Sequence, residues 1–288
     1  GMGCLARALN EAEIHATIRF LAISVLILPI APNRGFGPFG ALNPRELWMM
    51  VVLISGLSFL GYWLVKALGS GRGSLAVGLV GGLASSTATT LSLSRRAKEG
   101  ADAASAASGI LMANVMMLAR VALILGAIAP AELIRIAPTL AAAAVAGVAA
   151  AVFLFRRRQD RDNQSSVTLG NPFELRPALI FAGLLAVISV AAAAGADAFG
   201  AFGLFVISAV SGLADLDAIT LSAGRQASAG ALGAGVAGAA VLIATLANGV
   251  TKGVMAASVG GARTGASVLA GFALMALAAG GAILLTPH

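Results

Sequence analysis

The chain has 288 residues, of which 59% are hydrophobic and 11% charged, with a mean hydropathy of +0.94. A soluble domain carries roughly 25% charged residues, so this composition excludes a water-soluble globule. The formal charge of +7 does not point to nucleic acid, because the lysines and arginines sit in short loops between apolar runs, as topology signals do.

Lipid admits only helices and closed barrels as spanning structures. The apolar runs are about 20 residues long, which suits helices rather than shorter alternating barrel strands. In chain order, about nine spans are expected, at roughly 12–30, 45–68, 74–95, 103–128, 132–155, 173–194, 199–222, 231–257 and 264–285. Gly1 before Met2 reads as a residue left by cloning and is set aside; the first apolar run ends in "LPIAPNRGFGP", which has no small-residue cleavage site. Cys4 is the only cysteine, and His15 and His288 are the only histidines, which argues against an internal disulfide and a cysteine- or histidine-built metal site.

Loops after odd-numbered spans hold Arg34, Arg45, Arg95, Arg96, Lys98, Arg156, Arg157, Arg158, Arg161, Arg176 and Arg225. The opposite side holds Arg7, Lys66, Arg72, Arg135 and Arg263, and Arg19, Arg120 and Lys252 fall inside spans. The positive-inside rule then puts the C-terminus and "FRRRQDRDNQ" in the cytoplasm and the N-terminus outside.

The chain resembles itself. "LNPREL" at 42–47 recurs as "GNPFEL" at 170–175, and "GLASSTATTLS" at 82–92 recurs as "GLADLDAITLS" at 212–222, with seven of eleven positions identical. The offsets are 128 and 130 residues, so order and spacing are kept, and Arg120 aligns loosely with Lys252. The expected fold is an all-α, polytopic transmembrane bundle forming a single membrane domain over 1–288. It holds two tandem similar four-helix units, about 43–155 and 171–285, behind a leading helix. An even span count makes the units parallel; if a span is a re-entrant pair, the repeats become inverted.

"NPREL" at 43–47, "GLVGGLASSTATTLSLSRRA" at 78–97, "NPFEL" at 171–175 and "GLADLDAITLS" together resemble the bacterial membrane domain of unknown function 4010. The resemblance covers nearly the whole chain. It implies a bacterial inner-membrane location and, as a candidate partner, the MgtC/SapB-type membrane domain that commonly precedes that family. MgtC-type proteins are linked to magnesium-limited growth and to modulation of other membrane machinery.

Asn43-Pro44-Arg45-Glu46 and Asn171-Pro172-Phe173-Glu174 read as capped helix starts, with a carboxylate at a pore mouth as the functional alternative. Asp215 and Asp217 stand inside an apolar run, where an ionisable group costs about 2.5–3.5 kcal/mol on insertion scales. On a regular helix, residues two apart differ by about 200°. Either the helix is surrounded by protein, or it is unwound near Gly212 so that both carboxylates converge on one cavity.

In the other repeat Ser85 and Thr87 occupy the aspartate positions, with Ser86, Thr89, Thr90 and Ser92 beside them; Thr90 and Ser92 match Thr220 and Ser222. Carboxylates with hydroxyl oxygens suit Mg²⁺, Na⁺ or a proton at Asp215 and Asp217. The competing structural reading pairs these aspartates with Arg120 or Lys252, and a third leaves them solvated at the interface. Arg120, Lys252 and Arg19 are read as charge-balancing or anion-holding groups, with snorkelling as the alternative. Asn114 and Asn248 are read as interhelical hydrogen bonders or cavity lining.

The expected function is a transporter or channel-like permease for a small ion or ionic solute, with a polar site where Asp215 and Asp217 face Ser85, Ser86 and Thr87. The alternative is a non-transporting regulator or assembly partner of MgtC type. No nucleophile–base pair stands out, so the chain is not read as an enzyme, and no organic cofactor is expected. The candidate partners are the bilayer, a small ion or solute, a second copy of the chain and an MgtC-like domain.

Overall fold

The protein is described here by a computed structural model covering residues 11–45, 47–49, 51–52, 73–157, 175–233 and 235–285. The expected cap at 171–174, Glu46, most of the span at 45–68, and Arg7, Lys66, Arg72, Arg158 and Arg161 lie outside the described residues. What is described is helical, with no strand beyond an isolated antiparallel bridge between Phe36 and Leu42.

The helices are α1 (Glu11–Ile30), a 3-10 turn at Pro38–Gly40, α2 (Ser74–Lys98), α3 (Ala103–Ile128), α4 (Pro130–Arg156), α5 (Leu175–Ala214), α6 (Leu216–Ser228), α7 (Val236–Gly260) and α8 (Ala262–Leu285). Residues 44–45, 47–49 and 51–52 are also helical, and Leu47 N donates to the carbonyl of Asn43 at 2.8 Å. The Asn43 amide donates to Asn33 Oδ1 at 2.9 Å, tying the helix start to the preceding loop. Among the described residues, six helical segments are long and apolar enough to cross a membrane, judged by length and composition only: α2, α3, α4, Ala186–Leu213 within α5, α7 and α8. The chain is therefore a polytopic helical membrane protein. Its outward faces carry apolar side chains such as Leu123, Ile134 and Val145, which in water would be a liability and in lipid are the favoured solvent contact.

The molecule divides into two compact units. One comprises Gly1–Trp63 and Gly170–Ala247, the other Leu64–Leu169 and Asn248–His288; the division falls within α7.

In the second unit, α3 starts where Asp102 accepts a hydrogen bond from Ser105 N at 2.8 Å, and Pro130 opens α4 at a position where its missing N–H costs nothing. Helix α2 is not straight. Ser85 has extended dihedrals (φ −163°, ψ 105°), and the two arms on either side fold back on each other. A Cβ on Gly81 would lie 2.6 Å from Thr89 Oγ1, although eight residues of straight helix separate them by about 12 Å. Both ends of α2 also meet the start of α3. Ser105 donates to Ser74 Oγ at 3.1 Å, Ser74 and Ser108 share a 2.9 Å bond, and Lys98 is followed by α3 within a few residues. Val77 and Leu93, from opposite arms, pack in one core with Ala106, Ala107, Ile110, Ala256 and Val268. The expected span at 74–95 is thus a re-entrant hairpin: each arm is about 17–20 Å long, too short for a bilayer core of about 30 Å.

That reversal changes the sorting of charge. Gly260, at the end of α7, lies against Ser94: a Cβ there would be 3.2 Å from its Cα. Arg263 therefore lies at the same end of this unit as Arg95, Arg96, Lys98, Arg156 and Arg157, not opposite them as span counting expected. At the other end the charges include Glu132 and Arg135, 3.8 Å apart.

The first unit repeats the device. Gly200 (φ 59°, ψ −144°) breaks α5, and the chain turns back there: a Cβ on Gly195 would be 3.0 Å from the carbonyl oxygen of Gly203. The expected span at 199–222 is broken again at Asp215, where α5 ends and α6 begins, and α6 packs back against α5.

Candidate functional site

The sequence around Ser85 explains its break. The backbone of Gly82 presses on Ala113 of α3, where a Cβ would be 2.6 Å from the Ala113 Cα. Ser85 then leaves the helix and restarts it as a cap: its hydroxyl accepts from Ala88 N at 3.2 Å. Thr89 and Thr90 donate to the carbonyls of Ser85 and Ser86, each at 2.8 Å. Ala113 lies ten residues into α3, about 15 Å from its start, so the tip sits near mid-bilayer depth.

A broken helix leaves carbonyls without an intrahelical donor. Arg120 supplies one. Its Nη1 donates to Leu83 O at 2.9 Å and to Ala84 O at 3.3 Å, and the residue is only 5% exposed. Lys252, 1% exposed, holds the other side of the break. Its Nζ donates to Ser86 Oγ at 2.8 Å, Asn114 Oδ1 at 2.9 Å and Met117 Sδ at 3.0 Å, matching the three donors of an ammonium with three acceptors. Asn114 is aimed by its own amide, which donates to Ile110 O at 2.9 Å. Burying a cation is costly unless it is hydrogen-bonded, and here two cations meet that condition at one helix break. Thr87 faces outward and is exposed.

In the first unit, Asp215 is extended (φ −151°, ψ 131°) and its carboxylate accepts from Asp217 N at 2.9 Å. Asp217 lies in the first turn of α6, where the positive end of the helix dipole favours an anion. Thr220 donates to Leu216 O at 2.8 Å. Gly212 presses on Ala244, where a Cβ would be 2.7 Å from the Cα. Because Asp215 stands outside the helix, the 200° separation of a regular helix does not apply to the pair. Both aspartates are half-buried.

The two breaks are 130 residues apart and match part by part: Gly82 on Ala113 and Gly212 on Ala244, Ser85 and Asp215 as caps, Thr90 on Ser86 and Thr220 on Leu216. Ser85, Ser86, Thr90, Asn114, Arg120 and Lys252 belong to the second unit, and Asp215, Asp217 and Thr220 to the first. Asn248, buried in α7, belongs to the second unit. Arg19 lies in α1, with its side chain outside the described set. Among the described residues, no group of three or more histidine, cysteine, aspartate or glutamate side chains could hold a metal, so an ion at Asp215 and Asp217 would need neutral oxygens as well. Sequence reasoning did not find Met117 or the carbonyls of Leu83 and Ala84, since a backbone acceptor has no signature in side-chain identity.

Capped breaks in apolar helices, with charged groups gathered at them, define a class of multi-pass membrane protein whose polar elements lie within the bilayer's depth. The chain belongs to the family described as domain of unknown function DUF4010, which matches residues 52–260 and so includes both breaks and Lys252. An uncharacterized protein of Aquifex aeolicus (strain VF5) is similar, 29% identical over 185 residues that cover 63% of this chain and 80% of that protein. No solved structure matches.

Proposed function

We propose that this protein is a transporter or channel-like permease for a small ion or ionic solute. The observation that carries this reading is the pair of matched helix breaks, each with ionisable residues at its tip. Irregular backbone at membrane depth is tolerated where protein or a water-lined cavity covers it, and broken helices are a recurrent way to build ion sites. In this reading Asp215 and Asp217, at the break of the first unit, hold the cation or coupling proton, and Arg120 and Lys252 hold the break at Ser85 in the second unit. The matched breaks support descent from a duplicated unit. With a re-entrant hairpin in place of an expected span, this reading takes the alternative that the sequence offered, inverted repeats. The basic end of the second unit then faces the cytoplasm of a bacterial inner membrane, and the end of α8 faces outward, reversing the expected side of the C-terminus.

The test is ion flux in proteoliposomes with the Asp215→Asn/Asp217→Asn double variant. Asparagine keeps the capping geometry and removes the charge, so flux should fall at least tenfold while the protein still elutes as a single species. Unchanged flux would falsify the role given to the aspartates.

A further inference from the structure

Among the described residues of the first unit, three buried hydroxyls have no hydrogen-bond partner: Ser189, Ser208 and Ser211, with 4%, 0% and 6% of their surface exposed. Leaving a buried hydroxyl unsatisfied costs about 1–3 kcal/mol, so three in one helical hairpin call for an explanation. They are not scattered. Ser189 lies eleven residues before the turn at Gly200 and Ser211 eleven residues after it. Both therefore sit about 16 Å from the turn, at one level. Ser208 is one turn nearer the turn than Ser211 and on the same face, and Asp215 lies one turn further on.

The direction of these side chains follows from the arms' contact line. Gly195 meets Gly203 and Ile207 across the hairpin, a Cβ there lying 3.0 Å and 3.2 Å from them. Taking that line as the reference and turning about 100° per residue, in opposite senses for the antiparallel arms, brings Ser189, Ser208 and Ser211 to the same flank; Asp215 follows at the end of that arm, its N–H bonded to Ser211 O at 2.8 Å. Three neutral oxygens are thus gathered on one flank, with the Asp215 carboxylate one turn beyond Ser211.

We infer that Ser189, Ser208, Ser211 and Asp215 form a binding site for a hard monovalent cation of the Na⁺ class. All the donors are oxygens, the preference of hard cations. One carboxylate neutralises one charge, which matters in an apolar surround where a net charge is costly. Mg²⁺ demands octahedral geometry and keeps most of its water, which a cluster of three serine hydroxyls does not offer. A proton on Asp215 would need none of the three. The inference deepens the transport reading but concerns binding, which stands or falls separately.

The experiment uses the full chain in detergent, stripped of Na⁺, with thermal unfolding followed as NaCl replaces N-methyl-D-glucamine chloride at constant ionic strength. The native protein should show a saturable rise in Tm with Na⁺. Ser208→Ala/Ser211→Ala should lose the saturable rise, or show at least a tenfold weaker apparent affinity, with a Tm in the absence of Na⁺ equal to or above that of the native chain. Asp215→Asn, which keeps the cap, should also lose the rise. Should the double serine variant fold poorly, Ser211→Ala alone gives the same readout. A native protein indifferent to Na⁺, as water-satisfied hydroxyls would give, overturns the site; so does a serine or Asp215→Asn variant that keeps the full response. Na⁺ binding with silent flux would sink transport and leave the site intact.

Discussion

Arg120→Met removes the donor that the break at Ser85 depends on while keeping an apolar side chain of comparable reach. In the native protein, Nη1 satisfies Leu83 O at 2.9 Å and Ala84 O at 3.3 Å. Hydrogen bonds from a charged donor are worth about 1.5–3 kcal/mol, and the longer one falls at the low end or below. Losing both leaves carbonyls at mid-bilayer depth without this donor, for a net cost of about 3–4 kcal/mol, partly offset because the guanidinium no longer has to be desolvated. Against a typical stability of 5–15 kcal/mol that is a large share. At roughly 2–4 °C per kcal/mol for a chain near this size, Tm should fall by about 10 °C. Arg120→Lys, which offers a point charge without the planar fork, should fall about half as far. The assay is thermal unfolding in detergent followed by the loss of the monodisperse peak. If Arg120→Met melts within 2 °C of the native protein, roughly the effect of 1 kcal/mol or less, the carbonyls of the break do not depend on Arg120 and the reasoning fails.

Gly82→Leu should abolish the folded species, since even a Cβ would lie 2.6 Å from the Ala113 Cα and O and backbone cannot yield as a side-chain tip does; Gly183→Ala, with open space at that position, should be neutral or slightly stabilising and serves as the control in the same expression and Tm assay. A cysteine placed at Leu285 in a Cys4→Ser background should react with a membrane-impermeant maleimide in intact cells, and one placed at Arg157 should not. The opposite pattern would refute both the outward end of α8 and the inverted repeat.

How much of this was legible beforehand varies by residue. The helical membrane class, the family resemblance and the collinear segments at 82–92 and 212–222 could be read directly, as could Asp215, Asp217, Arg120 and Lys252 as charges inside apolar runs. Ser86 reads as a hydroxyl oxygen and Asn114 as an interhelical hydrogen bonder, but Lys252 as their common partner has no trace in the sequence, because the two lie 166 and 138 residues from it along the chain. Ser189, Ser208 and Ser211 carry no signal in the sequence, because an isolated serine in an apolar run is ordinary packing material; the absence of a hydrogen-bond partner for each sets them apart, and only the tertiary structure shows it.

What the amino-acid order determined alone was the solvent: a chain this apolar must satisfy its backbone internally, and helices are the way it does so. The tertiary structure decided where those helices turn. Hydropathy measures how long a segment stays apolar and carries no information on direction, so a segment that crosses the bilayer and one that enters and returns have the same composition. Contacts settle the difference here, with Gly81 against Thr89 and Ser74 beside Ser105 folding α2 back and carrying Arg263 to the same end as Arg95.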